Sequence, residues 1–230
     1  MKKIGFIGAY DKTDMLLNLA KILTTVNCKV LIVDSTINQK ARYVVPAINP
    51  TVSYITSFED IDIAIGFNST EEIKNYMGIS EELPYDILLI DADTIEKVKG
   101  FDLNTANKNY FVTSFDIYSL RRGVEILSGL EVPINLTKVL FAKEILKEDD
   151  DYLNFLAVGH KVVWDEEKIY FPIENGDYDV IIENQRVEKI KLKKLSIQYK
   201  DNLSFIAQQI LDEENDFKIR KAIKIIERGV

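Results

Sequence analysis

The chain has 230 residues, of which 47% are hydrophobic and 29% charged, with ten Gly and five Pro. That composition suits a folded globular domain and excludes a fibrous or low-complexity one. With 29 basic against 37 acidic residues the formal charge is −8, which opposes long-range attraction to DNA or RNA unless the basic residues cluster, so a nucleic-acid partner is not expected. The lone Cys28 excludes an intrachain disulfide and a cysteine-based metal site, and His160 has no second histidine to pair with at a metal. A reduced, cytoplasmic setting is the expectation.

Lys2 and Lys3 precede an apolar run, Ile4 to Ile7, that is far shorter than the ~20 residues of a membrane span. KIGFIG shows no polar alternation, as in a strand buried on both faces of a parallel sheet. DKTDMLLNLAKILTTV follows, with Met15, Leu16, Leu19, Ala20 and Leu23 at helical spacing, and KVLIVD is a second buried strand. Residues 3 to 34 therefore read as a βαβ unit. VSYITSF and IDIAIGF read as extended segments, with Pro46 and Pro50 interrupting any helix before them. Ser69-Thr70-Glu71-Glu72 is a capping box and predicts a helix to about Met77.

PYDILLIDAD is the cleanest strand, four apolar residues in a row followed by Asp91, and its pattern places it centrally. NYFVTSF predicts a strand, DIYSLRRGVEILSGL a helix capped by Asp116, and NLTKVLFA another strand. The acidic run Glu148 to Asp151 reads as a solvated helix start favoured by the helix dipole. Beyond it come a strand at KIYFPI, a hairpin-like pair around DVIIENQRVEKIKL and a helix at DNLSFIAQQILDEE. In EKIKLKKL the alternation of lysines with Ile190 and Leu192 predicts an edge strand with one wet face. From Asp216 a last amphipathic helix sets Ile219, Ala222, Ile223, Ile226 and Val230 on one face against Lys and Arg on the rest. The fold class expected is one three-layer α/β domain over residues 1–230, with a mostly parallel doubly wound sheet.

In such sheets ligands bind beyond the carboxyl ends of the strands. Gly8, Lys12 and Thr13 after the first strand, Asp34 ending the second and Asp91 ending DILLID gather there. Their order resembles the ParA/MinD family of P-loop ATPases, over roughly residues 2 to 140 and more weakly to about 211. The resemblance implies that Lys12 and Thr13 stand for the final Lys-Thr of a phosphate loop and Asp91 for the Walker B aspartate that organises magnesium. It implies too that Asp34 opens an Asp-x-Asp pattern whose second member, which positions water, is replaced by Thr36.

The general spacing G-x-x-x-x-G-K-[ST] requires glycine where Phe6 and Asp11 stand. Without those glycines, backbone N–H groups do not converge on a phosphate, and Tyr10 and Asp11 fill and charge the loop. After Asp91 the family usually has small and proline-containing residues where this chain has Ala92-Asp93-Thr94, so three elements depart from the family pattern. The reading they support is a degenerate member, similar to the TadZ/CpaE branch, that acts as a non-catalytic positioning, scaffold or regulatory protein, with no cofactor and a closed pocket. A genuine ATPase using ATP and magnesium through an atypical loop is the alternative. The resemblance further implies a homodimer, a protein partner, and peripheral membrane contact through the basic last helix, as MinD proteins make; packing of that helix on the chain's own sheet or on a partner subunit is the other reading.

Overall fold

The computed structural model describes residues 1–47, 51–142, 147–172, 175–212 and 216–229. Eight strands form one sheet. In chain order they are β1 (Lys2–Ile7), β2 (Val30–Asp34), β3 (Tyr54–Phe58), β4 (Ile61–Ile65), β5 (Ile87–Ala92), β6 (Lys108–Ser114), β7 (Ile134–Ala142) and β8 (Val162–Pro172). The spatial order is β3-β4-β2-β5-β1-β6-β7-β8, and only the β3/β4 pair is antiparallel. β5, the DILLID strand, lies near the middle as its unbroken apolar run requires. The expected βαβ unit of residues 3–34 has both strands and its helix, but β5 pairs with β1 on one side and β2 on the other.

The strands bury both faces because helices cover both, making three layers. On one side α1 (Thr13–Thr25), α8 (Ile197–Leu211) and α9 (Phe217–Arg228) pack with Ile4, Phe6 and Leu89 in one apolar cluster. On the other, α3 (Thr70–Met77), α4 (Ile95–Gly100), α5 (Ile117–Ser128) and α6 (Lys147–Leu156) cover Ile7, Leu88 and Ile90. A short α2 (Ala41–Val44) follows β2, and α7 (Asn175–Val187) follows β8.

Local signals hold where a side chain can bond to a helix end. Ser69 accepts a hydrogen bond from the Glu72 backbone N–H at 3.2 Å and Asp116 accepts one from Ser119 at 2.9 Å. The return half of the expected capping box lands one residue earlier: Glu72 accepts from the backbone N–H of Asn68, not of Ser69.

Three sequence expectations fail. The hairpin-like pair around residues 179–192 is the helix α7 followed by a turn-rich segment. In that segment EKIKLKKL is no strand: Ile190, Leu192 and Leu195 are buried and its lysines point outward. A period of two needs only an extended segment lying on a core, with or without a strand to pair with. The acidic run is not a solvated start either, since Asp150 is buried, ion-paired to Lys138 at 2.6 Å and bonded to Lys168. Of the two readings of the last helix, packing is the one seen: Ile219, Ala222, Ile223 and Ile226 are buried against α1 and α8. Pro50 and Val230 lie outside the described residues.

Candidate functional site

The carboxyl ends of β1, β5 and β2 meet at the centre of the sheet, where Asp34 and Asp91 stand in register on neighbouring strands. Above them lies an open cleft of about 480 Å³, within the usual size range of small-molecule sites. Gly8, Lys12, Thr13 and Asp91 line it, joined by Lys40 and Asp93. The expected closed pocket is therefore corrected. Asp34 lies behind the cleft, fully occupied: its carboxylate accepts from Thr36 Oγ1 at 2.6 Å, the Thr36 N–H at 3.1 Å and the Ala41 N–H at 2.9 Å. In this arrangement Asp34 and Thr36 build the turn that leads into α2.

Gly8 is glycine for a steric reason. Its φ is +139°, and a Cβ there would lie 2.1 Å from the carbonyl oxygen of Val112 on β6, a position that only glycine occupies without strain. The chain leaves β1 pressed against the neighbouring strand, its Gly8 N–H bonded to the Ala92 carbonyl at 3.0 Å. Tyr10 then turns aside and stacks on Phe141 at 4.6 Å.

Lys12 is 2% exposed. Its ammonium donates to the carbonyls of Gly8 at 2.8 Å and Tyr10 at 3.4 Å and sits 2.6 Å from Asp91 Oδ1. That last contact is a charge pair whose angles miss hydrogen-bond geometry, so Asp91 Oδ1 accepts no aligned hydrogen bond. Burial is the main influence on Asp91 and raises its pKa to about 7; Lys12 pulls it down and the Asp34 charge pushes it up. The loop thus turns carbonyl oxygens inward onto its own lysine, where a phosphate loop turns N–H groups onto its ligand.

The start of α1 is likewise satisfied from within. Asp11 accepts from the Thr13 N–H at 3.1 Å, taking one of the donors that an anion would use. Asp11 is not the bare charge the sequence suggested: Lys40 reaches across the cleft to Asp11 at 2.5 Å and Asp14 at 2.8 Å. Burial raises the pKa of Asp11, but the Lys40 ammonium outweighs it and holds the carboxyl below its ordinary value. Burial depresses the Lys40 ammonium, and the two carboxylates more than reverse this. Gln185 of α7 donates to both oxygens of Asp14, at 2.9 and 3.0 Å. Asp93 accepts from the Ile37 N–H through both oxygens and fastens the segment after β2 to the end of β5; burial raises its pKa.

Lys40 and Gln185 were not singled out by sequence reasoning. Asp93 follows the DILLID strand and was legible as an added charge, whereas Lys40 and Gln185 belong to no motif and reach the site only through the fold. Among the described residues no group of three or more His, Cys, Asp or Glu is placed to hold a metal ion, and no helix is long and apolar enough to cross a membrane.

An eight-stranded, mostly parallel sheet with helices on both faces and a lysine-bearing loop between β1 and α1 defines the α/β class of P-loop NTPase-like folds. Within it, solved structures similar to this chain include a ParA family ATPase, MinD and a plasmid partition protein. A ParA family ATPase from Chlorobium tepidum TLS superposes with a TM-score of 0.59 at 15% identity, over 91% of this chain and 97% of that one. MinD, a cell division protein of Aquifex aeolicus, gives 0.56 at 18% identity over 94% and 98%. A plasmid partition protein from Borrelia burgdorferi B31, bound to AMPPNP, gives 0.56 at 15% identity over 92% and 98%. Neither a protein-family model nor a curated protein matches the sequence.

Proposed function

We propose that this chain is a ParA/MinD-like protein without ATPase activity, which acts as a positioning or scaffold component through self-association and a protein partner. The observation that carries the reading is the state of Lys12. The one lysine the loop could turn on a phosphate is buried, wrapped by two carbonyls of its own loop and paired with Asp91. One donor at the start of α1, the Thr13 N–H, meets Asp11, and Thr36 stands where the family carries a second aspartate. These residues do not fit a triphosphate with magnesium, so no catalytic step is derived through one. MinD of Aquifex aeolicus has been solved in complex with MinC, which supports a protein partner on the same fold.

Calorimetric titration of the full chain with ATP and magnesium tests this: no binding tighter than micromolar and no turnover are expected. Sub-micromolar binding, with turnover abolished by Lys12→Ala, overturns it. One observation favours the alternative of a working ATPase, namely the open cleft beside α1, of a size that admits a nucleotide. That alternative requires Lys12 to leave Asp91 when the ligand arrives, and the same titration decides it.

A further inference from the structure

Residues 186–200 and 217–229 together hold eleven Lys or Arg and only Glu188 and Glu227 as acids. The remainder of the chain then has 18 basic against 35 acidic residues. The fold brings the two segments together. α9 packs along α8 and α1, and Glu227 near its end accepts from Lys200 in the first turns of α8 at 2.7 Å, directly after the lysine-rich segment. Ile190, Leu192 and Leu195 of that segment and Ile219, Ala222, Ile223 and Ile226 of α9 anchor in one apolar cluster on the same side of the sheet. With the apolar positions turned inward, the charged positions between them face out.

Several of these cations are matched internally: Lys191 and Lys194 by Glu183, Lys200 by Glu227 and Arg220 by Asp216. Among the described residues Arg186, Lys189, Lys193, Lys221, Lys224 and Arg228 are exposed and form no ion pair. They make a positive face on a protein whose remainder is net negative.

We infer that this face, formed by α9 and the segment before α8, binds an acidic segment of a partner protein. Charge complementarity fixes the sign of the ligand and the surroundings limit its size. α9 is twelve residues long, or about 18 Å, so the positive face is short, and the rest of the chain around it is net negative. A duplex or a bilayer extends its negative charge well past that face and meets the net negative charge of the remainder. A short acidic peptide stays within the face. The aliphatic stripe of α9 that a bilayer would engage, Ile219, Ala222, Ile223 and Ile226, is buried.

The surface is separate from the cleft, so its test needs no nucleotide and its failure leaves the reading of Lys12 untouched. The full chain is titrated calorimetrically with a twelve-residue oligoglutamate peptide, a twenty-base-pair duplex and phosphatidylglycerol vesicles. Binding of the peptide is expected, weakening about tenfold or more between roughly 50 and 200 mM salt. It should be lost in the charge reversal Lys193→Glu, Lys221→Glu, Lys224→Glu, Arg228→Glu and reduced in the corresponding Gln variant, both with an unchanged thermal melt. Absence of peptide binding, equal binding by the variants, or duplex or vesicle binding through this face tighter than the peptide's overturns the inference.

Discussion

Two buried lysines of this protein each face an aspartate, with opposite outcomes. Lys138 of β7 contacts Asp150 at 2.6 Å and Asn154 at 2.5 Å on α6 and lies 4.9 Å from the centre of the Trp164 ring. Asp150 is bonded to Lys168 as well, so although burial raises its pKa, two cations hold it below the ordinary value. Burial itself depresses the Lys138 ammonium. Asp91 has one cation and a neighbouring carboxylate, and its pKa is raised to about 7. The first pair is a closed, saturated joint between a strand and the helix above it. The second is undersaturated and lines an open cleft, so the same two residue types build a structural fastening in one place and an adjustable site in the other.

The sharpest way to break this contrast is to remove the anion from the saturated joint. Asp150→Ala leaves Lys138 charged and buried, and urea denaturation should show a loss of about 3–5 kcal/mol. Lys12→Met should be milder, about 1–3 kcal/mol near pH 8, because Asp91 can take up a proton. The loss should shrink toward pH 5, and a penalty independent of pH would count against the contrast.

The Asp91 titration has a definite sign. Below about pH 4 the carboxyl is protonated in both folded and unfolded chains, and its contribution to stability is fully present. Between there and about pH 7 the unfolded chain ionises while the folded one holds its proton, so this contribution falls as pH rises and levels off above. Asp91→Asn should remove that slope, read as the difference between wild-type and variant unfolding free energies across the window. The smallest effect belongs to the half-exposed Lys40 bridge. Lys40→Gln should lower stability by only about 0.2–1 kcal/mol, and that loss should fade in high salt.

How far the sequence spoke for the molecule follows the same division. KIGFIG, KVLIVD and DILLID were legible as strands because two covered faces demand unbroken apolar runs. Ser69 and Asp116 were legible because capping is local chemistry. Lys12 and Asp91 were legible as neighbours from strand-end geometry, but not that they would bind each other. The sequence could not reveal that Lys138, Asp150 and Lys168 form one cluster, since their meeting depends on how α6 crosses between β7 and β8. EKIKLKKL misled because burial on alternate residues is shared by strands and by extended segments without partners.

The place of β5 between β1 and β2 also bears on how the chain comes together. β1 and β2 are joined by a single helix, yet they are held in one sheet only by a strand more than fifty residues later, which lies between them and pairs with both, with Lys29 and Asp86 exchanging backbone and side-chain bonds at its entrance. Contacts this distant in sequence slow folding. A nascent or truncated chain that stops short of residue 87 has no centre to assemble around, so the first third of the protein waits for the middle third before either acquires a core.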